Sequence, residues 1–596
     1  MAKTTDPAVI FGIRQPDKPF CWLRAGRLKV QVVGSNLGGI FYDGVEVLRG
    51  ISFLVRDENW GTCPAHVTSL ETKRSRDGFT VTFQAVAQKG AAKIVTKGEI
   101  SARSDQLRFH AVAKPNQDFK TNRTGFVVLH PINGVAGRPV TVTHTDGKVE
   151  KARFPACISP GQPFFEIRAL EHAPAPGLKA KVVMEGHKYE MEDQRNWTDA
   201  SFKTYVCSLL DPWPYVLKGG ETVEQSVTVT LTGSAKTKAA QAVPELVVSR
   251  PLKLPEIGIA VAPDHAVAAT RLCDEISTLG PSHLVGTLQA GPALNDLCKA
   301  YARIAARTHL PFTLELVLPC LDVAHMEVGA FAAAMAQAGL VATRIVVTQC
   351  HDLKSFQPSD GRPAGPSYQE MAQAARAHFP AAQIGGGMTS YFTELNRKQP
   401  PQGVFDFITH SICPIVHDAS DAAVMQTLEC LPHVFASAKI MIGKAPYHLG
   451  PSSIGARLNP YGASLAANPK TLRMCLAPND PRQKGEFAVA WNLGVLAAAA
   501  QAGLKSVTLS AINGPQGLVF GRSEKTPLYS FLQNIMELAG QKISLLTCDS
   551  QLRGLVDEDG RGYVFNPLPT PQTISQSRRK YRLQGFETRK FRISSV

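Results

Sequence analysis

The densest acid–base group in the sequence is the run Thr409-His-Ser-Ile-Cys-Pro-Ile-Val-His-Asp418, which places His410, His417 and Asp418 close together. Imidazole exchanges protons near neutral pH and a neighbouring carboxylate can orient it, so this segment suits general acid–base catalysis. Two further carboxyl groups qualify: Glu315 inside Thr313-Leu-Glu-Leu-Val317, and Glu394 downstream of the triglycine Gly385–Gly387. Each candidate has a structural rival. Glu315 interrupts an apolar run, where Arg344 at the matching height of the next strand would complete an interior ion pair. His410 could be an interior histidine with its hydrogen bonds satisfied, and Asp418 or Ser420 could cap the helix that follows. A metal site built from His410, His417 and Asp418 matches no ligand spacing, and no metal or cofactor is expected.

A second polar cluster lies far upstream. Met191-Glu-Asp-Gln-Arg-Asn-Trp-Thr-Asp-Ala-Ser-Phe-Lys-Thr-Tyr205 gathers Glu192, Asp193, Arg195, Asn196, Asp199 and Lys203 around Trp197. A solvated turn would look like this. A sugar subsite is furnished the same way, with a ring face for stacking and polar groups for hydroxyls, so Asp193, Asn196, Trp197, Asp199 and Lys203 are candidate substrate contacts. Such a segment also suits packing against another domain, so the N-terminal and barrel domains are expected to be packed together. Asn396, Lys444 and Asn513, at expected strand ends, complete the set of hydrogen-bond donors.

These residues need elements to hold them. Up to residue 232 the chain alternates as Leu28-Lys-Val-Gln-Val-Val33, Phe79-Thr-Val-Thr-Phe83 and Val223-Glu-Gln-Ser-Val-Thr-Val-Thr-Leu231, broken by turns such as Asp77-Gly78. That pattern predicts an antiparallel β-sandwich. A linker over Gly233–Ala242 and prolines 244, 251 and 255 follow. From Ile257 to about Leu538 short apolar runs alternate with alanine-rich helices, the signature of parallel βα units. Strands are expected at 256–262, 282–288, 311–318, 341–349, 381–387, 404–412, 438–443 and 506–512, with helices such as Ala330–Gly339 and Tyr368–His378 between them. Eight units predict a closed (β/α)8 barrel of the TIM type, with functional residues at the C-terminal ends of its strands. An open doubly wound sheet is the alternative, but no G-x-G-x-x-G follows any strand. Past residue 540 strands return. The expected domains are an N-terminal β-sandwich over 1–243, the barrel over 244–539 and a small C-terminal β domain over 540–596.

Composition narrows the class. In 596 residues, 44% are hydrophobic and 19% charged, as in ordinary globular proteins. Twelve cysteines include no C-x-x-C pair, which suits free thiols in a reducing cytoplasm better than a disulfide framework. Met1-Ala-Lys-Thr-Thr-Asp6 has no apolar core for a signal peptide, and no run reaches the length of a membrane helix. The formal charge of +15 raises the question of nucleic acid. Its densest part, Arg578, Arg579, Lys580, Arg582, Arg589, Lys590 and Arg592, alternates with Tyr581, Leu583, Phe586, Phe591 and Ile593, as expected for charged outer faces of edge strands. A cytoplasmic protein with neither a nucleic-acid nor a membrane partner is expected; the oligomeric state is not encoded in any of these patterns.

The segment Met191–Tyr205, with Gly125-Phe-Val-Val-Leu-His-Pro131 upstream and Thr409–Asp418 in the barrel, resembles the D-apionate lactonase family, and the likeness extends over nearly the whole chain. The resemblance implies an N-terminal β domain, a barrel and a small C-terminal domain. It also implies hydrolysis of the sugar lactone D-apionolactone to D-apionate in bacterial catabolism of apiose. It assigns no catalytic residue. Opening a γ-lactone needs an activated water, a donor for the oxyanion and a proton for the departing ring oxygen. His410 or His417 with Asp418 would serve the first and last, and Lys444, Asn396 or Asn513 the second. Without a G-x-S-x-G elbow, direct attack by water is expected. Two alternatives remain: a barrel glycosidase, which needs paired carboxylates, and a sugar-acid-binding protein without turnover. For the glycosidase, Asp352 and Glu394 follow strands four and five, but the expected strand seven ends in Gly443-Lys444 with no carboxylate nearby.

Overall fold

The computed structural model describes residues 6–235, 243–521, 523–549, 551–576 and 579–593. Most of the expected linker and Arg578 of the basic cluster lie outside these residues. The chain divides into two compact units, one of Asp17–Arg195 and Ala200–Gln241, the other of Met1–Pro16, Asn196–Asp199 and Ala242–Val596. No helix among the described residues is long and apolar enough to cross a membrane.

The first unit is antiparallel β structure. Its alternating segments become strands with alternating burial, as in Leu28–Val33 and the meander Gly78–Lys89, Ala92–Arg103, Gln106–Pro115. Seventeen strands join one antiparallel network that folds over a shared apolar core. Phe126 sits at the centre, with edge-on contacts to Phe109 and Phe53 at ring distances of 4.8 and 5.3 Å.

The second unit contains a closed parallel barrel. Its strands are β1 (Glu256–Val261), β2 (His283–Gln289), β3 (Phe312–Leu318), β4 (Arg344–Gln349), β5 (Gln383–Tyr391), β6 (Phe407–Ser411), β7 (Tyr447–Ser452) and β8 (Ser506–Ala511). Around it run helices α1 (Cys273–Leu279), α2 (Leu294–Thr308), α3 (Ala324–Ala338), α4 (Tyr368–His378), α5 (Phe392–Arg397), α6 (Asp421–Ile442), α7 (Glu486–Ala502) and α8 (Pro527–Met536). The strands are buried nearly throughout because neighbours cover both faces, which explains their continuous apolar runs. Helix α4 opens on a capping box between Ser367 and Glu370, and α3 and α7 end on left-handed Gly339 and Gly503.

The seventh strand is not where the sequence pattern put it. Residues 438–442 are the last turn of α6, and β7 begins at Tyr447. The buried residues Val434, Phe435, Ala438 and Ile442 follow helical spacing, while Ile440 is exposed, so the apolar run belongs to a helix stripe. The true strand, Tyr447-His-Leu-Gly-Pro-Ser452, carries a Gly-Pro pair that reads as a turn. Tertiary pairing overrides that local preference.

The C-terminal strands form a small antiparallel sheet of Lys542–Cys548, Gln551–Val556, Arg561–Phe565 and Thr588–Arg592. Val247–Val248 and Leu252–Lys253, just ahead of the barrel, pair with its first strand. A further hairpin, Gln572–Gln576 with Arg579–Leu583, packs Ile574 and Leu583 against Phe591. Arg579, Lys580, Arg582, Arg589, Lys590 and Arg592 all remain exposed on these strands.

Candidate active site

The loops after β4 to β7 meet at the C-terminal mouth of the barrel. Segment 196–199 joins them, and with it comes the one histidine–carboxylate pair at this end among the described residues: His417 Nδ1 lies 2.6 Å from Asp199 Oδ2. Both side chains are partly exposed, at 17% and 15%. The other ring nitrogen, Nε2, has no protein partner among the described residues, so the pair leaves a proton-accepting edge available. His417 meets the edge of Trp197 at 5.8 Å between ring centroids, and Trp197 in turn packs on Tyr461 at 4.9 Å. Trp197 is 2% exposed whereas Tyr461 is 50% exposed. Segment 196–199 is fixed by hydrogen bonds from Thr393 Oγ1 to Asn196 O and from Asn396 Nδ2 to Asn196 Oδ1, both 2.7 Å.

A cation stands inside the same mouth. Arg457, in the loop after β7, donates to Thr287 Oγ1 at 2.8 Å, to Thr389 O at 3.1 Å and to both carboxylate oxygens of Glu315. One guanidinium thereby ties together β2, β3 and β5. Its side chain keeps a quarter of its surface exposed, while the Glu315 carboxylate is buried. Glu315 is therefore charge-paired, and its partner is Arg457; Arg344 sits lower in the barrel wall, opposite Thr313, and pairs with Glu256 at 3.4 Å.

Several expected site residues take other roles. His410 alternates with Thr409 and Ser411 and points outward, between β6 and the helices. Its Nε2 meets Tyr447 Oη at 2.5 Å, its Nδ1 meets Ser411 O at 2.8 Å, and Phe392 lies beside it. Burial holds its pKa down at about 4, so it is a neutral interior histidine. Asp418 is exposed and accepts from Ser420 N at 2.8 Å, ahead of the Ser420 cap of α6; it does not pair with His417. Glu394 caps α5 by accepting from Tyr391 N at 3.1 Å, and burial raises its carboxyl above the ordinary range. Asp193 is buried against Arg195 at 2.7 Å and Lys203 is ion-paired with Glu192, the residue opposite it in register, because buried charges in a sheet need partners. Lys444 precedes β7, is exposed, and lies at the N-terminal end of the barrel, away from the mouth, because residues 438–442 belong to α6 and not to a strand. Asn513 donates to His265 O at 3.1 Å after β8. Trp197, hemmed in by Tyr461, His417 and Arg397, offers no ring face to a sugar; the exposed Tyr461 does.

The expected cluster at 191–205 thus splits. Asn196, Trp197 and Asp199 belong to the barrel mouth, while Asp193 and Lys203 stabilise the N-terminal sheet. The Arg457–Glu315 and Asp199–His417 pairings escaped the sequence because their partners are 142 and 218 residues apart. A signal for Arg457 existed: Glu315 needed a cation, and the loop after β7 supplied one. That loop also bears on glycosidase chemistry. From Tyr447 to Asn479 there is no Asp or Glu, and Asp480 beyond it is buried against Arg482.

Two family profiles match the chain. The D-apionate lactonase N-terminal domain matches residues 8–234, and the D-apionate lactonase TIM barrel domain matches residues 257–540. A curated D-apionate lactonase from Brucella anthropi is 40% identical over 562 residues, covering 93% of this chain and 90% of its own length. Among solved structures, a family 36 α-galactosidase from Geobacillus stearothermophilus aligns with 97% of this chain and all of its own at 9% identity and a TM-score of 0.29. A family 30 endoxylanase from Clostridium papyrosolvens aligns with 58% of this chain and 97% of its own at 9% identity and a TM-score of 0.35. Likenesses this distant carry no argument. The family profiles and the Brucella relative do: the chain belongs to the D-apionate lactonase family.

Proposed function

We propose that the protein hydrolyses D-apionolactone to D-apionate in apiose breakdown, with the His417–Asp199 pair as its acid–base centre. The observation that carries this reading is the 2.6 Å contact between His417 Nδ1 and Asp199 Oδ2 at the barrel mouth. Asp199 holds the imidazole so that Nδ1 bears the proton and Nε2 accepts one from water. Hydroxide character develops on that water as it attacks the lactone carbonyl. The imidazolium then returns the proton to the ring oxygen as the C–O bond breaks, releasing the hydroxy acid. Arg457, partly exposed inside the mouth, supplies positive charge for the oxyanion and for the product carboxylate. Tyr461 offers an aromatic face to the sugar.

The test is steady-state acid release from D-apionolactone, corrected for spontaneous opening, with simple pentonolactones as comparison substrates. His417→Ala should lower kcat by roughly 10²–10⁴-fold with a smaller change in KM. Near-native turnover in this variant would remove His417 from the chemistry. Cleavage of an apioside with no lactone opened would remove the lactonase assignment itself.

A further inference from the structure

The loops after β3 and β4 hold a cluster that the dyad does not use. Cys320, Cys350 and His351 each place one ligand atom so that all three lie within 4.8 Å of one another. No C-x-x-C spacing announces it, because the ligands come from the ends of two adjacent strands. The surroundings are built. Cys320 sits at a left-handed φ of +61°, a conformation costly for a residue with a side chain. The Glu327 carboxylate holds it there by accepting the backbone N–H groups of Cys320, Leu321 and Asp322 at 3.2, 2.6 and 3.0 Å. The Gln349 side-chain oxygen accepts from Arg362 Nε and Nη2, each at 2.6 Å. That orientation turns its amide nitrogen toward Cys320 Sγ, 3.5 Å away. Cys320 and Cys350 donate to the backbone oxygens of Leu318 and Pro319 at 3.6 and 3.3 Å, weak bonds that metal ligation would replace.

We propose that Cys320, Cys350 and His351 form a site for zinc, with three protein ligands and a fourth position open to water or a small ligand. Two thiolates and an imidazole are a ligand set zinc takes in tetrahedral sites, and ligand atoms around one zinc stand about 3.8 Å apart given bonds of 2.0–2.3 Å. Binding expels two thiol protons, one from each cysteine, and leaves the imidazole neutral. The site lies at the same end of the barrel as His417, but the inference does not depend on the role of His417.

The experiment uses the full chain, purified under reducing conditions and stripped with a chelator. Zinc is titrated against a chromophoric competitor, and cobalt(II) is added separately to read thiolate-to-metal charge-transfer absorption. About one equivalent of zinc per chain and a tetrahedral, thiolate-ligated cobalt spectrum are expected. Cys320→Ser and Cys350→Ser should each lose at least tenfold in zinc affinity and most of the charge-transfer band, while Cys21→Ser, at an exposed cysteine of the first unit, should lose neither. Absence of stoichiometric zinc in the wild type, or equal binding in both serine variants, overturns the site. Should a serine variant fail to fold, the wild-type cobalt spectrum decides: two-thiolate absorption supports the site and its absence overturns it.

Discussion

Two histidines seven positions apart, His410 and His417, show how little residue type says about role. His410 lies in β6 and faces the helix layer, whereas His417, in the loop that follows, faces the mouth. Replacing His410 by Phe should leave kcat near native, because it touches no solvent, but should cost about 1–3 kcal/mol through the lost bonds to Tyr447 and Ser411; paired kinetics and denaturant unfolding check both halves. Asp199→Asn should lower kcat by roughly 10²-fold or more with the fold intact, because an amide can donate to Nδ1 and fix the wrong tautomer. Equal kcat in Asp199→Asn and the wild type would mean that the carboxylate only positions segment 196–199. The expectation that a carboxylate next to a histidine in sequence is its partner failed here. Asp418 is adjacent along the chain but turns to the backbone of Ser420, while Asp199 arrives from elsewhere.

At the scale of elements, seven of the eight barrel strands were legible because interior strands must be continuous apolar runs. The exception, β7, contains Gly450 and Pro451, and its neighbour α6 ends in a β-branched, strand-like sequence. That slip carried Lys444 with it to the wrong end of the barrel. The triglycine of β5 is a place of close approach. A Cβ on Gly385 or Gly386 would meet the rings of Phe407 or Phe405 at 2.2 Å, and one on Gly387, at φ +101°, would meet Thr409 O at 2.3 Å. Gly387→Ala is therefore expected to destabilise the barrel by at least about 2 kcal/mol, from strain and overpacking together, read as a lowered unfolding midpoint. An unchanged midpoint would show that β5 shifts freely against β6.

For the molecule as a whole, the buried histidines set its response to acid. Burial holds His172, His283 and His410 at about 4 and His448 at about 3, all below the ordinary 6.5. Above pH 6.5 these groups are neutral in both folded and unfolded chains and contribute no pH dependence. As pH falls below 6.5 the unfolded chain takes up protons that the folded chain refuses, so stability falls until about pH 4, where the folded groups begin to protonate. Each such group contributes up to about 1.4 kcal/mol per pH unit in that window. Denaturant unfolding at pH 7.5, 6, 5 and 4 should show this loss, and His448→Gln or His283→Gln should reduce its slope; a flat profile would contradict it.

Segment 196–199 has a consequence for how such a protein can be inherited. The compact unit that holds the barrel is not one stretch of gene: four codons that complete it lie within the coding stretch for the other unit. A recombination event that moved residues 243–593 alone would carry His417 and Arg457 but leave Asp199 behind. The barrel is thus expected to travel between genomes with its preceding domain attached, because a crossover between the two units separates His417 from Asp199.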